Sequence, residues 1–105
     1  MTAFAAAIDD LFADPNIARD AIWRAGGAGA GISVKVVTRR PDQVIGFGDS
    51  RAVLPTMLID VRRSEVSDPA TGDTVEIESE MFDVIATPTI DSLRLVWTCE
   101  AAAPV

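Results

Sequence analysis

The sequence predicts a mainly β domain, a small antiparallel β-barrel or sandwich, with one short N-terminal α-helix and a long flexible loop. Three observations predict it. The chain has 105 residues, the length of a single domain. Apolar residues recur with a 3.6-residue period only at its start. From Ile17 onward, short runs alternate apolar and polar residues with period two, and Gly, Pro and Asp separate them. A composition of 49% hydrophobic and 24% charged residues suits a domain that buries a core. The expected organisation is one domain over residues 1–105, with a helix within 1–13, a β core over 17–100 and the long loop at 40–55.

The helix is expected over residues 3–12. Phe4, Ile8, Leu11 and Phe12 fall on one face, Thr2 is placed to cap it, and four alanines favour it. Asp14-Pro15-Asn16 ends it, because the residue before a proline is pushed out of the α region. Three turns are too short to stand alone in water, so the apolar stripe must dock on its own domain or on a neighbour. Ile17–Arg24 reads as a strand of poor alternation, and residues 26–31, rich in glycine, as a flexible connection. Ile32–Thr38 places Ile32, Val34 and Val36 on one face. Met57–Val66 places Met57, Ile59 and Val61 inward, with a slip at Arg62-Arg63 that suggests a bulge. Thr74–Ile77 and Phe82–Ile85 flank Glu78-Ser79-Glu80-Met81 as a β-hairpin. In the last strand Leu93, Leu95, Trp97 and Cys99 point one way, and Ala101–Val105 is a tail expected to fray. The connection from Arg40 to Pro55 is long for so small a domain and sets Phe47 between Gly46 and Gly48.

Several function classes are excluded. Histidine is absent and Cys99 is the one cysteine, so the chain has no Ser–His or Cys–His pair, no internal disulfide and no Cys/His zinc site. Residues 26–31 lack the Gly-Lys-Ser/Thr ending of a phosphate loop, and residues 68–73 lack the ligand pattern of a calcium loop. Cys99 reads as a small buried hydrophobe, and Asp91-Ser92 as a turn. No catalytic residue, cofactor or metal is expected. No apolar run reaches the ~20 residues that span a bilayer. Met1-Thr2-Ala3-Phe4 carries no basic stretch and Asp9-Asp10 interrupts the apolar residues behind it, so no secretory signal is expected.

With 16 acidic and 9 basic residues the net charge is −7, which opposes general nucleic-acid binding. The charge is uneven. Residues 1–63 hold eight bases and seven acids, and residues 64–105 hold one base, Arg94, and nine acids. Unlike faces that meet head to tail, or a surface that repels a polyanion, would use such a division.

The short helix running into Asp14-Pro15-Asn16-Ile17-Ala18, the hairpin Gly72–Ile77 with Phe82–Ile85, and the closing block Asp91–Trp97 together resemble the head–tail joining proteins of tailed bacteriophages and prophages. These are the head-completion, or stopper, proteins of the lambda-type joining family. Arg39 through Pro55 is similar to the long exposed loop of that family, and the resemblance covers most of the chain. It implies a small β-barrel and a structural virion protein of the neck, without enzymatic activity or cofactor. Implied partners are copies of the chain in a ring, taken as hexameric, portal or adaptor proteins on the head side, and tail-terminator or tail proteins on the other. Packaged DNA would lie close, held in by the ring, and no membrane is involved. The implied location is the virion, after assembly in the bacterial host cytoplasm. A tail-terminator or other tail-ring protein is the nearest alternative, and a small β-barrel binding module of a cellular assembly is an alternative of another class.

On that reading Phe4, Ile8, Leu11, Phe12, Arg39, Arg40, Phe47, Arg62 and Arg63 are expected to contact neighbouring subunits or partners. Glu76, Glu78 and Glu80 are expected to face the DNA channel, because carboxylates let a polyanion pass without sticking. The free chain is expected to be a monomer, with the first dozen residues and residues 40–55 loose until assembly orders them.

Overall fold

The computed structural model describes residues 3–39 and 56–103. Helix α1 (Ala3–Ala13) precedes β1 (Arg19–Arg24), β2 (Ile32–Arg39), β3 (Thr56–Arg62), β4 (Thr74–Ile77), β5 (Glu80–Val84), β6 (Thr89–Ile90) and β7 (Val96–Ala102). The strands lie in the order β3-β2-β1-β4-β5-β7, and β3 pairs back onto β7. The result is a closed six-stranded antiparallel barrel, which leaves no long unpaired edge. Strand β6 is a seventh strand, paired to β7 alone. It follows β5 along one edge of β7, while β3 runs the length of the other.

Alternation along each strand fills the barrel. Ala21 and Trp23, Val34 and Val36, Met57, Ile59 and Val61, Val75 and Ile77, Phe82 and Val84, and Cys99 and Ala101 point inward and are buried. Small residues (Ala21, Cys99, Ala101) offset the bulk of Trp23 and Phe82, as the narrow interior of a small barrel requires. The expected inward set of β3 is observed.

Several expectations need correction. The hairpin is tighter than a four-residue connection: Ile77 pairs with Glu80, so Glu80 and Met81 belong to β5. Its turn is Glu78-Ser79, both at positive φ (52° and 69°), the geometry of a type I′ turn made without glycine. The slip at Arg62-Arg63 is a turn, not a bulge. Strand β3 ends at Arg62, whose carbonyl accepts from the Glu65 and Val66 amides. Ile32 is 51% exposed instead of inward, because β3 pairs with β2 only from Val36 onward and leaves the start of β2 uncovered. Leu93 is exposed as well, since β7 starts at Val96. The Asp91 carboxylate accepts from the Leu95 and Val96 amides (2.7 and 3.1 Å) and holds residues 91–95 as a turn, with Arg94 at φ 58°. At the other end of β7 the strand continues through Ala102. Ala101 lies buried between Met57 and Val84, so the tail is ordered up to that point.

The glycine-rich connection is also more constrained than a plain linker. Residues 25–27 form a 3-10 turn, and a Cβ at Gly31 (φ +81°) would fall 2.6 Å from Ile22 Cγ2 and 3.0 Å from the Trp23 carbonyl oxygen. Helix α1 is docked on its own barrel at its C-terminal end, where Phe12 is 1% exposed, while Phe4 at the other end is 64% exposed. Thr2 and residues 40–55, with the expected loop and its Arg40 and Phe47, lie outside the described residues.

Candidate functional site

A shared anchor holds α1 to the barrel. The Arg62 guanidinium lies 5.2 Å from the Phe12 ring centroid, donates to Asp9 of the helix (3.1 Å) and donates to Glu65 (2.8 Å). Burial lowers the Arg62 pKa, but its hydrogen bonds to Glu65 and Asp9 outweigh that and hold it above the ordinary value. Glu65 also accepts from the Lys35 amide (3.0 Å), at a position on β2 that β3 has already left. A carboxylate therefore replaces a missing ladder partner. Phe12 and Arg62, two of the residues expected at a subunit contact, are thus engaged inside the chain. Ile8 is half-buried, Leu11 is exposed, and Phe4 projects.

The remaining expected contact residues divide in two. Arg39 closes on Asp60 with two hydrogen bonds (3.1 and 2.8 Å), which raise its pKa, and Thr98 donates to the same carboxylate. Arg63 is exposed and, among the described residues, has no ion-pair partner. It lines a groove between α1 and the 91–95 turn, where Ile8 of the helix faces Leu93 and Leu95, and Arg94 stands on the far rim.

Two of the three carboxylates expected at a DNA channel are neutralised within the chain. Glu76 pairs with Arg24 (3.0 Å) and Glu78 with Arg19 (2.7 Å), both cations lying on the neighbouring β1. Glu80 is exposed at the hairpin tip and unpaired among the described residues.

Sequence reasoning missed Asp73 and noted of residues 68–73 that they do not form a calcium loop. Asp73 is the buried charged residue of the described core. Its carboxylate accepts from Trp23 Nε1 (3.0 Å), the Gly26 amide (2.8 Å) and the Ala70 amide (2.9 Å). Three donors satisfy a charge that would otherwise be costly to bury. The sequence signal was slight: an acid beside Gly72, together with a tryptophan whose indole N–H needs an acceptor once it is buried. Nearby, burial together with the Asp73 and Asp60 charges pushes the Cys99 thiol up to about 12, so it stays protonated and inert.

Among the described residues no three His, Cys, Asp or Glu side chains cluster as metal ligands, and no helix is long and apolar enough to cross a membrane. A family model described as phage head-tail attachment protein matches residues 1–101. The chain belongs to the phage head-tail attachment family. Membership makes it a structural component of the phage neck. The match runs from before α1 to Ala101 near the end of β7, so it takes in the anchored helix and its groove. Comparison with curated proteins gives no match.

Proposed function

We propose that the chain is one subunit of a ring in the neck of the virion, between the portal or adaptor and the tail, where it helps retain packaged DNA and offers the tail a docking surface. The observation that carries this reading is the family match over residues 1–101. The molecule's surfaces support it. A closed barrel leaves no long strand edge for uncontrolled pairing, which favours contacts between copies through side chains. The projecting Phe4 end of α1, Leu11 and Arg63 are exposed groups suited to such meetings, to which the sequence adds Arg40 and Phe47. Arg39 reaches the same role only by sharing Asp60.

The channel reading of Glu76, Glu78 and Glu80 is changed by their ion pairs. With Arg24 and Arg19 beside them, Glu76 and Glu78 supply little net field. In our proposal the repulsion that lets DNA slide past comes from the −7 charge of each subunit, and the hairpin tip is released for contact between copies.

The test is disruption of the gene in its phage, with the chain resupplied in trans. The expected result is DNA-filled heads that leak their genome beside free tails, with joining restored by the resupplied chain. Complete particles formed without it would contradict the proposal. Stable full heads beside tails of irregular length would instead move the chain to the terminal ring of the tail.

A further inference from the structure

We infer that the groove between α1 and the 91–95 turn receives the acidic hairpin tip, residues 78–81, of a second copy of this chain. The inference rests on the ring reading and names the surfaces through which neighbouring subunits would meet.

The distribution of unpaired charge points to it. Seven of the nine Lys and Arg residues lie in the described part of the chain. Five of them (Arg19, Arg24, Lys35, Arg39 and Arg62) are paired with carboxylates. The two without a partner among the described residues, Arg63 and Arg94, line one groove. In a chain with a large excess of acid, two unpaired guanidiniums on the rims of one groove favour an anion between them. The floor between them is apolar, from Ile8, Leu95 and the 51% exposed Leu93. Arg94 is held at φ 58°, a strained setting for a residue with a side chain, and the Asp91 carboxylate fixes the turn that holds it. The groove therefore offers two unpaired cations around an apolar floor, and its one carboxylate, Asp9, is already paired with Arg62.

Its complement is a short, stiff projection that carries carboxylates and an apolar anchor. The β4–β5 tip has that chemistry. Its turn has only two residues, Glu80 has no ion-pair partner among the described residues, and Met81, whose sulfur accepts from Arg24 (3.9 Å), is still 37% exposed. Glu78 is held by Arg19 in an exposed pair, which is worth ~0–1 kcal/mol and exchanges readily.

A tip cannot fill the groove of its own chain. Met57, at the start of β3, shares one mouth of the barrel with Ile77, Glu78 and Glu80. Arg62, at the end of β3, stands beside the groove. The two surfaces thus sit at opposite ends of the barrel. Joining them is a heterologous contact, the kind that builds a ring when the rotation closes.

The test uses assembled particles whose chain carries Ser64→Cys in the groove and Ser79→Cys at the tip. Both serines are exposed, and buried Cys99 stays silent. A short bis-maleimide should give a ladder of covalently linked copies from the double variant and none from either single variant. As a second measurement, Arg94→Glu and Glu80→Arg should each lower joining by about tenfold or more, and the two together in one chain should restore it. A ladder from Ser79→Cys alone would overturn the inference, and so would its absence from the double variant in particles that image with several copies around the axis; the ring reading would survive both. A single copy per neck would remove the inference and the ring reading together.

Discussion

Asp73 and Arg62 each gather three groups from separate parts of the chain, yet they do opposite work. Asp73 is buried, and its three donors come from β1, the 25–27 turn and the 70–73 turn, so it fastens one end of the barrel from within. Arg62 lies on the outer surface beneath α1, its partners Asp9 and Glu65 are partly open to solvent, and its own Nε is buried without an acceptor. Water competes poorly for the first cluster and well for the second. The barrel is therefore fastened from within, and the helix is held by a weaker clasp more open to solvent.

The largest effect that would break this contrast is loss of Asp73. Asp73→Ala leaves the buried indole N–H and two backbone amides without acceptors, and unfolding by denaturant should show a loss of roughly 3–5 kcal/mol. Cys99 reports the same event, because its buried thiol should react with a disulfide reagent only when the whole barrel opens. The labelling rate should rise strongly in Asp73→Ala and stay near wild type in Arg62→Ala. Gly31→Ala comes next, at ~2 kcal/mol, because the added carbon meets Ile22 and Trp23 at a positive φ. That cost should also appear as global unfolding. Arg62→Ala should cost ~1–2 kcal/mol. Hydrogen exchange should locate the loss in α1 amides while barrel amides keep their protection. Asp9→Asn is the mildest, at ~0.5 kcal/mol, and its effect should fade in high salt. Equal loss of protection in helix and barrel on Arg62→Ala would show that the two regions are one cooperative unit.

Much of the barrel was legible because strand alternation writes the inward set directly into the sequence, as in Met57, Ile59 and Val61. The errors fell where a side chain overrides the backbone pattern. Leu93 and Leu95 continue the alternation of Trp97 and Cys99, but Asp91 binds the amides of the intervening residues and folds them into a turn. Ile32 continues the pattern of Val34 and Val36, but its neighbouring strand has ended. Closure of the barrel depends on which strand meets β7, and a period of two carries no information about partners. At the candidate site the residue types were legible and their pairings were not. Glu76, Glu78 and Arg62 looked like free surface charges because Arg24, Arg19 and Asp9 are distant in sequence. Arg94 stood out only as the one base of an acidic half, and only the fold sets it in one groove with Arg63.

In our proposal this chain is a structural piece of the phage neck, present in several copies around the axis. The most direct measurement is imaging of purified particles at a resolution that shows strands. The account predicts small six-stranded barrels repeated around the channel between head and tail, each with α1 packed against its outer surface. Mature, infectious particles that lack the chain in the neck, or hold it elsewhere in the virion, would contradict it.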